Sequence, residues 1–89
     1  MEYFTEYNLH STYGAKQIQA TYEFLTDETK YPESNRIPFI LSRSTAPGSG
    51  QFSAHWLGDN WSEWPYLKYS IAGIMNFNMF GINMVGADV

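Results

Sequence analysis

Three charged side chains of this sequence each come at the end of a short apolar segment. They are Arg43, Asp59 and Asp88. A carboxyl group can transfer a proton or accept hydrogen bonds from hydroxyl groups, and an arginine can donate charge-assisted hydrogen bonds to a polar ligand. A surface ion pair, a turn and a helix cap would use the same residue types, so this pattern alone leaves a purely structural role open.

The apolar segments themselves predict three short strands, at residues 37–41, 54–57 and 82–87. Pro38 belongs near the start of the first strand because it lacks an N–H group for a sheet ladder. A crossover of about 17 residues between the second and third strands predicts parallel pairing. Since the carboxyl ends of parallel strands meet at one edge, we expect Arg43, Asp59 and Asp88 to gather there.

Two helices are predicted from apolar side chains that recur every three or four positions. The first spans about 12–27, starts at Ser11-Thr12, and is followed by a polar stretch, 26–36, that predicts a surface connection. The second is capped by Ser62, has Pro65 in its first turn and ends at Gly81. The first helix has a predicted apolar face made of Ala15, Ile18, Tyr22 and Leu25. The second helix has a predicted face made of Leu67, Ile71, Ile74, Met75 and Asn78.

Length and composition narrow the class of protein. The 89 residues are 44% apolar, carry a net charge of −4 and include no cysteine, which fits one small domain at most and excludes disulfides and thiolate metal sites. The five Lys and Arg residues form no basic stripe, so we expect no nucleic-acid partner. The sequence has no uninterrupted apolar run of about 18 residues, so no membrane span is predicted. No signal segment is visible, so the sequence leaves the cellular compartment open.

A three-stranded parallel sheet would expose unpaired edges and an uncovered face if it stood alone. The α/β pattern therefore predicts a segment of a larger protein. Three stretches of the sequence surround these charged residues. They are Phe39-Ile40-Leu41-Ser42-Arg43-Ser44-Thr45, His55-Trp56-Leu57-Gly58-Asp59-Asn60 and Met84-Val85-Gly86-Ala87-Asp88. Sixteen positions separate Arg43 from Asp59, and twenty-nine separate Asp59 from Asp88. In residues and in spacing these stretches resemble consecutive landmarks of glycoside hydrolase family 31, which contains the retaining α-glucosidases.

The resemblance is strong over Arg36 to Val89 and thin before Arg36. It implies a (β/α)8 TIM barrel of which residues 1–89 are a partial catalytic domain, roughly strands five to seven with the helices between them. About 250 residues is the usual size of such a barrel. We therefore expect the remainder of the barrel in the parent chain, for which the resemblance favours the secretory pathway or the lysosome.

The resemblance also implies roles for four side chains. Asp59 matches the general acid/base, and Arg43, Trp56 and Asp88 match residues of the subsite that holds the glucosyl ring of an α-glucoside or oligosaccharide. No cofactor and no metal are implied. The family's nucleophile lies in a Trp-x-Asp-Met-Asn-Glu motif that this sequence lacks, so we expect the 89 residues to be inactive alone. Linkage preference, and hydrolysis against glucosyl transfer, stay open.

Two other interpretations remain at this point. A non-catalytic carbohydrate-binding module would also be rich in aromatic residues, although it would show many alternating strands instead of two helices; a relic of a barrel would keep the motifs without activity. His10 and His55 have no ligand cluster around them, and we expect His55 to be a structural neighbour of the site. Trp64, Tyr66 and Tyr69 suit a sugar cleft or core packing equally well.

Overall fold

The computed structural model describes residues 4–30, 32 and 37–88, which form helices and a three-stranded parallel sheet. Short 3-10 turns occupy His10–Thr12 and Ser49–Gln51. The predicted order of helix, strand, loop, strand, helix and strand is confirmed, with one additional short helix before it. The helices are α1 (Glu6–Leu9), α2 (Tyr13–Leu25) and α3 (Trp64–Met79), and the strands are β1 (Leu41–Ser42), β2 (Ala54–Trp56) and β3 (Val85–Gly86).

The sheet has the order β1-β2-β3, and both pairs are parallel. His55 is the central residue of the register, since it pairs with Ser42 on one side and with Val85 on the other. Helix α3 carries the connection from β2 to β3, as parallel pairing requires. The prediction of parallel strands is thus confirmed.

The strands are shorter than the apolar runs predicted. Of the first run only Leu41 pairs as a strand residue, together with Ser42 after it, and the side chains of Ile37 and Phe39 are 95% and 73% exposed. The prediction of a strand over 37–41 covered on both faces is therefore wrong for the described residues. Pro38 has no N–H for a ladder, and the carbonyl of Ile40 is the first group of this run to accept a strand hydrogen bond, from Ala54 N at 2.9 Å.

Helix α2 lies within the predicted span, but its start differs in detail. Thr12 occupies the N-cap position, yet its hydroxyl donates to the carbonyl of Leu9 at 2.9 Å and does not cap the helix. Ile18 is 4% exposed, and the ring of Tyr22 packs 5.2 Å from that of Phe52. These contacts place α2 against the connection between β1 and β2. Within the predicted connection 26–36, residues 31 and 33–36 lie outside the described residues.

Helix α3 begins one residue later than predicted. Glu63 is the N-cap residue and no side chain caps the helix, so the prediction of a Ser62 cap is wrong. The carbonyl of Glu63 accepts from the N–H groups of Tyr66 and Leu67 at 3.0 and 3.2 Å. Pro65 lies in the first turn, and Gly81, with φ +84°, follows the last, as expected.

The face of α3 that packs on the sheet is not the predicted aliphatic face, whose members are all exposed. Phe77 packs on the sheet by stacking on His55, and a Cβ on Gly73 would lie 3.1 Å from Leu57 Cδ1. The contact between α3 and the sheet therefore consists of a close backbone approach at Gly73 and the stacking of Phe77 on His55. The partly buried residues of this face follow each other at helical spacing: Tyr66, Ser70, Gly73 and Phe77.

Little of the described chain is fully enclosed. Ile18 and Ile82 are its buried apolar side chains, at 4% and 2% exposure, whereas Ile71 and Met75 of α3 are 57% and 63% exposed. No helix of the described part is both long and apolar enough to span a bilayer.

Candidate functional site

Arg43 follows β1 directly and extends its side chain over the sheet edge. Its guanidinium carbon lies 5.4 Å from the centre of the Trp56 ring, within cation–π distance. Gly58, after β2, lies below that guanidinium: it has φ +114°, and a Cβ there would be only 2.7 Å from Arg43 Nη2. A glycine is therefore required at 58 for backbone conformation and for space.

Asp88 joins the same group from the end of β3. Its Oδ1 accepts a hydrogen bond from Trp56 Nε1 at 3.0 Å, and its backbone N–H donates to the carbonyl of Gly58 at 3.3 Å. Together the two bonds tie the end of β3 to the end of β2. The predicted group was Arg43, Asp59 and Asp88. Of these, Arg43 and Asp88 both contact Trp56, whereas no contact joins Asp59 to them among the described residues.

The arrangement leaves polar groups available to a ligand. Within the described residues, the Arg43 guanidinium makes its cation–π contact but no hydrogen bond or ion pair, so its N–H donors are free. Asp88 is exposed, and Oδ2 takes no part in its bond to Trp56. A cation over the face of an indole and a carboxylate at its N–H can bind neighbouring hydroxyl groups of a sugar ring.

Asp59 lies next to this group, three positions after β2 ends. It directly follows Gly58, and its side chain is exposed. The described residues supply it with no hydrogen-bond or ion-pair partner and no apolar enclosure. The carboxyl is therefore accessible to a reacting group at the carboxyl edge of the sheet.

A cleft of about 500 Å³ adjoins Asp88 and separates the start of α3 from the end of β3. Trp64 and Tyr66 line it, as the sugar-cleft interpretation expected, but Tyr69 does not and is 68% exposed. Trp61, whose ring centre is 6.1 Å from that of Tyr66, is a further aromatic wall. The lining is mostly apolar, and its polar residues are Asn60, Ser62, Glu63, Ser70 and Asp88.

His55 is buried on the other face of the sheet, with 5% exposure. Its Nδ1 is 3.0 Å from the hydroxyl of Thr45, and its ring stacks on Phe77 with centres 3.7 Å apart. Burial lowers the pKa of His55 below its usual 6.5, so the imidazole is neutral at neutral pH. His55 is thus a structural neighbour of the site, as predicted.

Sequence reasoning missed Thr45 and Phe77 because no pattern links residues 10 and 22 positions from His55 before the chain folds. The remaining histidine, His10, is exposed and 3.9 Å from Glu6. Across residues 4–30, 32 and 37–88, no three His, Asp or Glu side chains come close enough to hold a metal ion.

Comparison with known proteins agrees with the motifs. The family model for the Glycosyl hydrolases family 31 TIM-barrel domain matches residues 1–89. An uncharacterised family 31 glucosidase of Schizosaccharomyces pombe is 55% identical over 83 residues, which are 93% of this chain and 8% of that protein. An α-glucosidase of Mucor javanicus is 49% identical over 84 residues, 93% of this chain and 9% of the relative. The α-xylosidase 1 of Arabidopsis thaliana is 46% identical over 84 residues, 94% of this chain and 9% of the relative.

The chain thus spans less than a tenth of the length of these relatives, although the match runs through nearly all of its own residues. The parallel sheet with α3 as its crossover is the repeating unit of a TIM barrel. Motif spacing, local architecture and sequence identity agree, and the chain belongs to glycoside hydrolase family 31, within its TIM-barrel domain.

Proposed function

We propose that this chain is the part of a retaining α-glucosidase catalytic domain that supplies the general acid/base, Asp59, and part of the glucosyl subsite. The observation that carries the proposal is the group at the carboxyl edge of the sheet: Trp56 donates to Asp88 at 3.0 Å while the Arg43 guanidinium lies over the same indole at 5.4 Å. TIM-barrel enzymes build their active sites at this edge.

In this proposal Asp59 first protonates the glycosidic oxygen as the bond to the leaving group breaks. The same carboxylate then removes a proton from the water that attacks the glycosyl-enzyme. Arg43 and Asp88 hold ring hydroxyls, and the indole of Trp56 keeps both charged groups in place. Each role uses a side chain that is accessible or partly accessible at the sheet edge.

A retaining mechanism needs a second carboxylate about 5 to 5.5 Å from the first, as the nucleophile. We assign that group to another part of the complete domain, since the motif that carries it in the family is absent from these residues. The 89 residues are then inactive alone. They correspond to roughly strands five to seven of the barrel, and the motifs lie in the segment from Arg36 to Val89. The substrate is an α-glucoside or oligosaccharide.

The test is the Asp59→Asn variant of the complete protein that contains these residues. The matched control is Asp27→Asn, because Asp27 follows α2 and its side chain bonds to Thr29 and Lys30. We expect Asp59→Asn to lose at least a hundredfold in kcat/KM on maltose, the range of general acid/base catalysis. The loss should be much smaller on p-nitrophenyl α-D-glucopyranoside, whose leaving group needs little protonation. Equal losses on both substrates, or full activity on maltose, would refute the assignment.

A further inference from the structure

His55 lies at the junction of three elements that carry the proposed site. It is the central residue of β2, so its side chain points to the opposite face of the sheet from that of the next residue, Trp56. On that face its ring lies nearly parallel to Phe77 of α3, with an interplanar angle of 16°. His55 therefore fixes β2 against α3 beneath the site.

The same ring reaches the loop that carries Arg43. Nδ1 of His55 is 3.0 Å from Oγ1 of Thr45, two positions after the arginine, and both side chains are partly or fully buried. Either tautomer can make this bond, because the hydroxyl can donate to a bare Nδ1 or accept from an Nδ1–H. The next residue back, Ser44, lies directly against Gly14 of α2. The loop is thus held from two sides.

Arg43 depends on this support because, among the described residues, a single contact anchors its long side chain. Within the described part of the chain its guanidinium makes only the contact with the Trp56 ring. Such a long side chain loses rotamer entropy when it is held in one place. Its placement over the indole therefore depends on a backbone that keeps residues 43–45 in one position.

We infer that His55 and Thr45 are positioning residues that set the place of Arg43 in the glucosyl subsite through their hydrogen bond. The inference rests on the proposed function, since it needs Arg43 to hold the sugar. Burial lowers the pKa of His55, so the ring that bonds to Thr45 is neutral near neutral pH.

The first test is Thr45→Val in the complete protein that contains these residues, assayed for KM with p-nitrophenyl α-D-glucopyranoside. Loss of one hydrogen bond predicts a rise in KM of about three- to tenfold, whereas Thr45→Ser, which keeps the hydroxyl, should stay within about twofold of wild type. Thr21→Val is the matched control, because it removes an exposed hydroxyl bonded to Gln17 within α2. A merely structural role would lower the fraction of active enzyme and leave KM unchanged.

The second test is His55→Phe, which keeps a ring on Phe77 but removes Nδ1. KM should rise as in Thr45→Val, and the double variant should show no further rise, because both changes break one bond. An unchanged KM in Thr45→Val, or additive rises in the double variant, would overturn the inference. Loss of activity in Asp59→Asn with unchanged KM in Thr45→Val would refute this inference alone, whereas full activity of Asp59→Asn on maltose would refute the proposed function.

Discussion

Substitution of Gly58 by alanine gives the sharpest test of the geometry around Arg43. The new Cβ would lie 2.7 Å from Arg43 Nη2 and 2.9 Å from Cζ, so the guanidinium must leave its position over Trp56. The backbone would also hold φ +114° with a side chain present, which costs about 1–3 kcal/mol. We expect both a less stable protein and a weaker glucosyl subsite.

The two effects can be separated by a matched glycine. Gly81 also has positive φ, +84°, but apart from its own neighbours in sequence no atom of the described residues lies within 4 Å of where a Cβ would be. Gly81→Ala should therefore lose stability of the same order with an unchanged KM. Gly58→Ala should in addition raise KM about tenfold or more, since hydrogen bonds to a charged group contribute about 1.5–3 kcal/mol.

The assay is KM for p-nitrophenyl α-D-glucopyranoside in the full-length chain, with thermal unfolding of each variant beside it. In an Arg43→Ala background the clash is gone, so Gly58→Ala should then change stability and not KM. The reasoning fails if Gly58→Ala alone leaves KM at the wild-type value. It also fails if the substitution raises KM equally with and without Arg43.

Three further changes test other contacts. Burial lowers the pKa of His55, so as pH falls the histidine takes up a proton in the unfolded chain before it does in the folded chain. The contribution of His55 to the free energy of unfolding should therefore be constant above about pH 7 and fall as pH drops through 6.5 toward the pKa of the folded state. Urea unfolding at several pH values should show a smaller loss of stability at low pH in His55→Phe than in the wild type. The His10→Asn variant, changed at an exposed site, should lose as much stability as the wild type. A Cβ on Gly14 would lie 2.6 Å from Ser44 Cβ, so Gly14→Ala should lower the melting temperature despite the helix propensity of alanine; a higher one would contradict the packing. Trp56→Phe removes the donor to exposed Asp88 and should raise KM about fivefold with little change in unfolding; a wild-type KM would show that this bond does not order the subsite.

The chemistry-bearing residues were predictable because they are local properties of the chain. Arg43, Asp59 and Asp88 follow apolar runs, and parallel strands separated by a helical crossover bring their carboxyl ends to one edge. The roles of Asp59 and the subsite residues remain proposals. Family membership was recognisable from motif wording and spacing, which survive without any knowledge of packing.

The extent of the strands and the packing face of α3 were not predictable in the same way. Apolar runs at 37–41 and 82–87 predict strands of five and six residues. A ladder needs a partner at each position, and only Leu41 of the first run and Val85–Gly86 of the second are strand residues. The aliphatic face of α3 was predicted from periodicity, but Gly73 and Phe77 make the contact. The spacing of apolar residues along a helix predicts which side chains share a face. It does not predict which of those side chains another element lies close enough to contact.

The sequence by itself determined the family, the parallel α/β order and the residue types at each strand end, since these depend on neighbours along the chain. Only the tertiary structure decided that Trp56 donates to Asp88 across 32 positions, that Gly58 makes room for Arg43, and that His55 holds Thr45. Those contacts join residues from different elements, and their distances depend on how the strands pair and how α3 lies on the sheet, which no local pattern encodes.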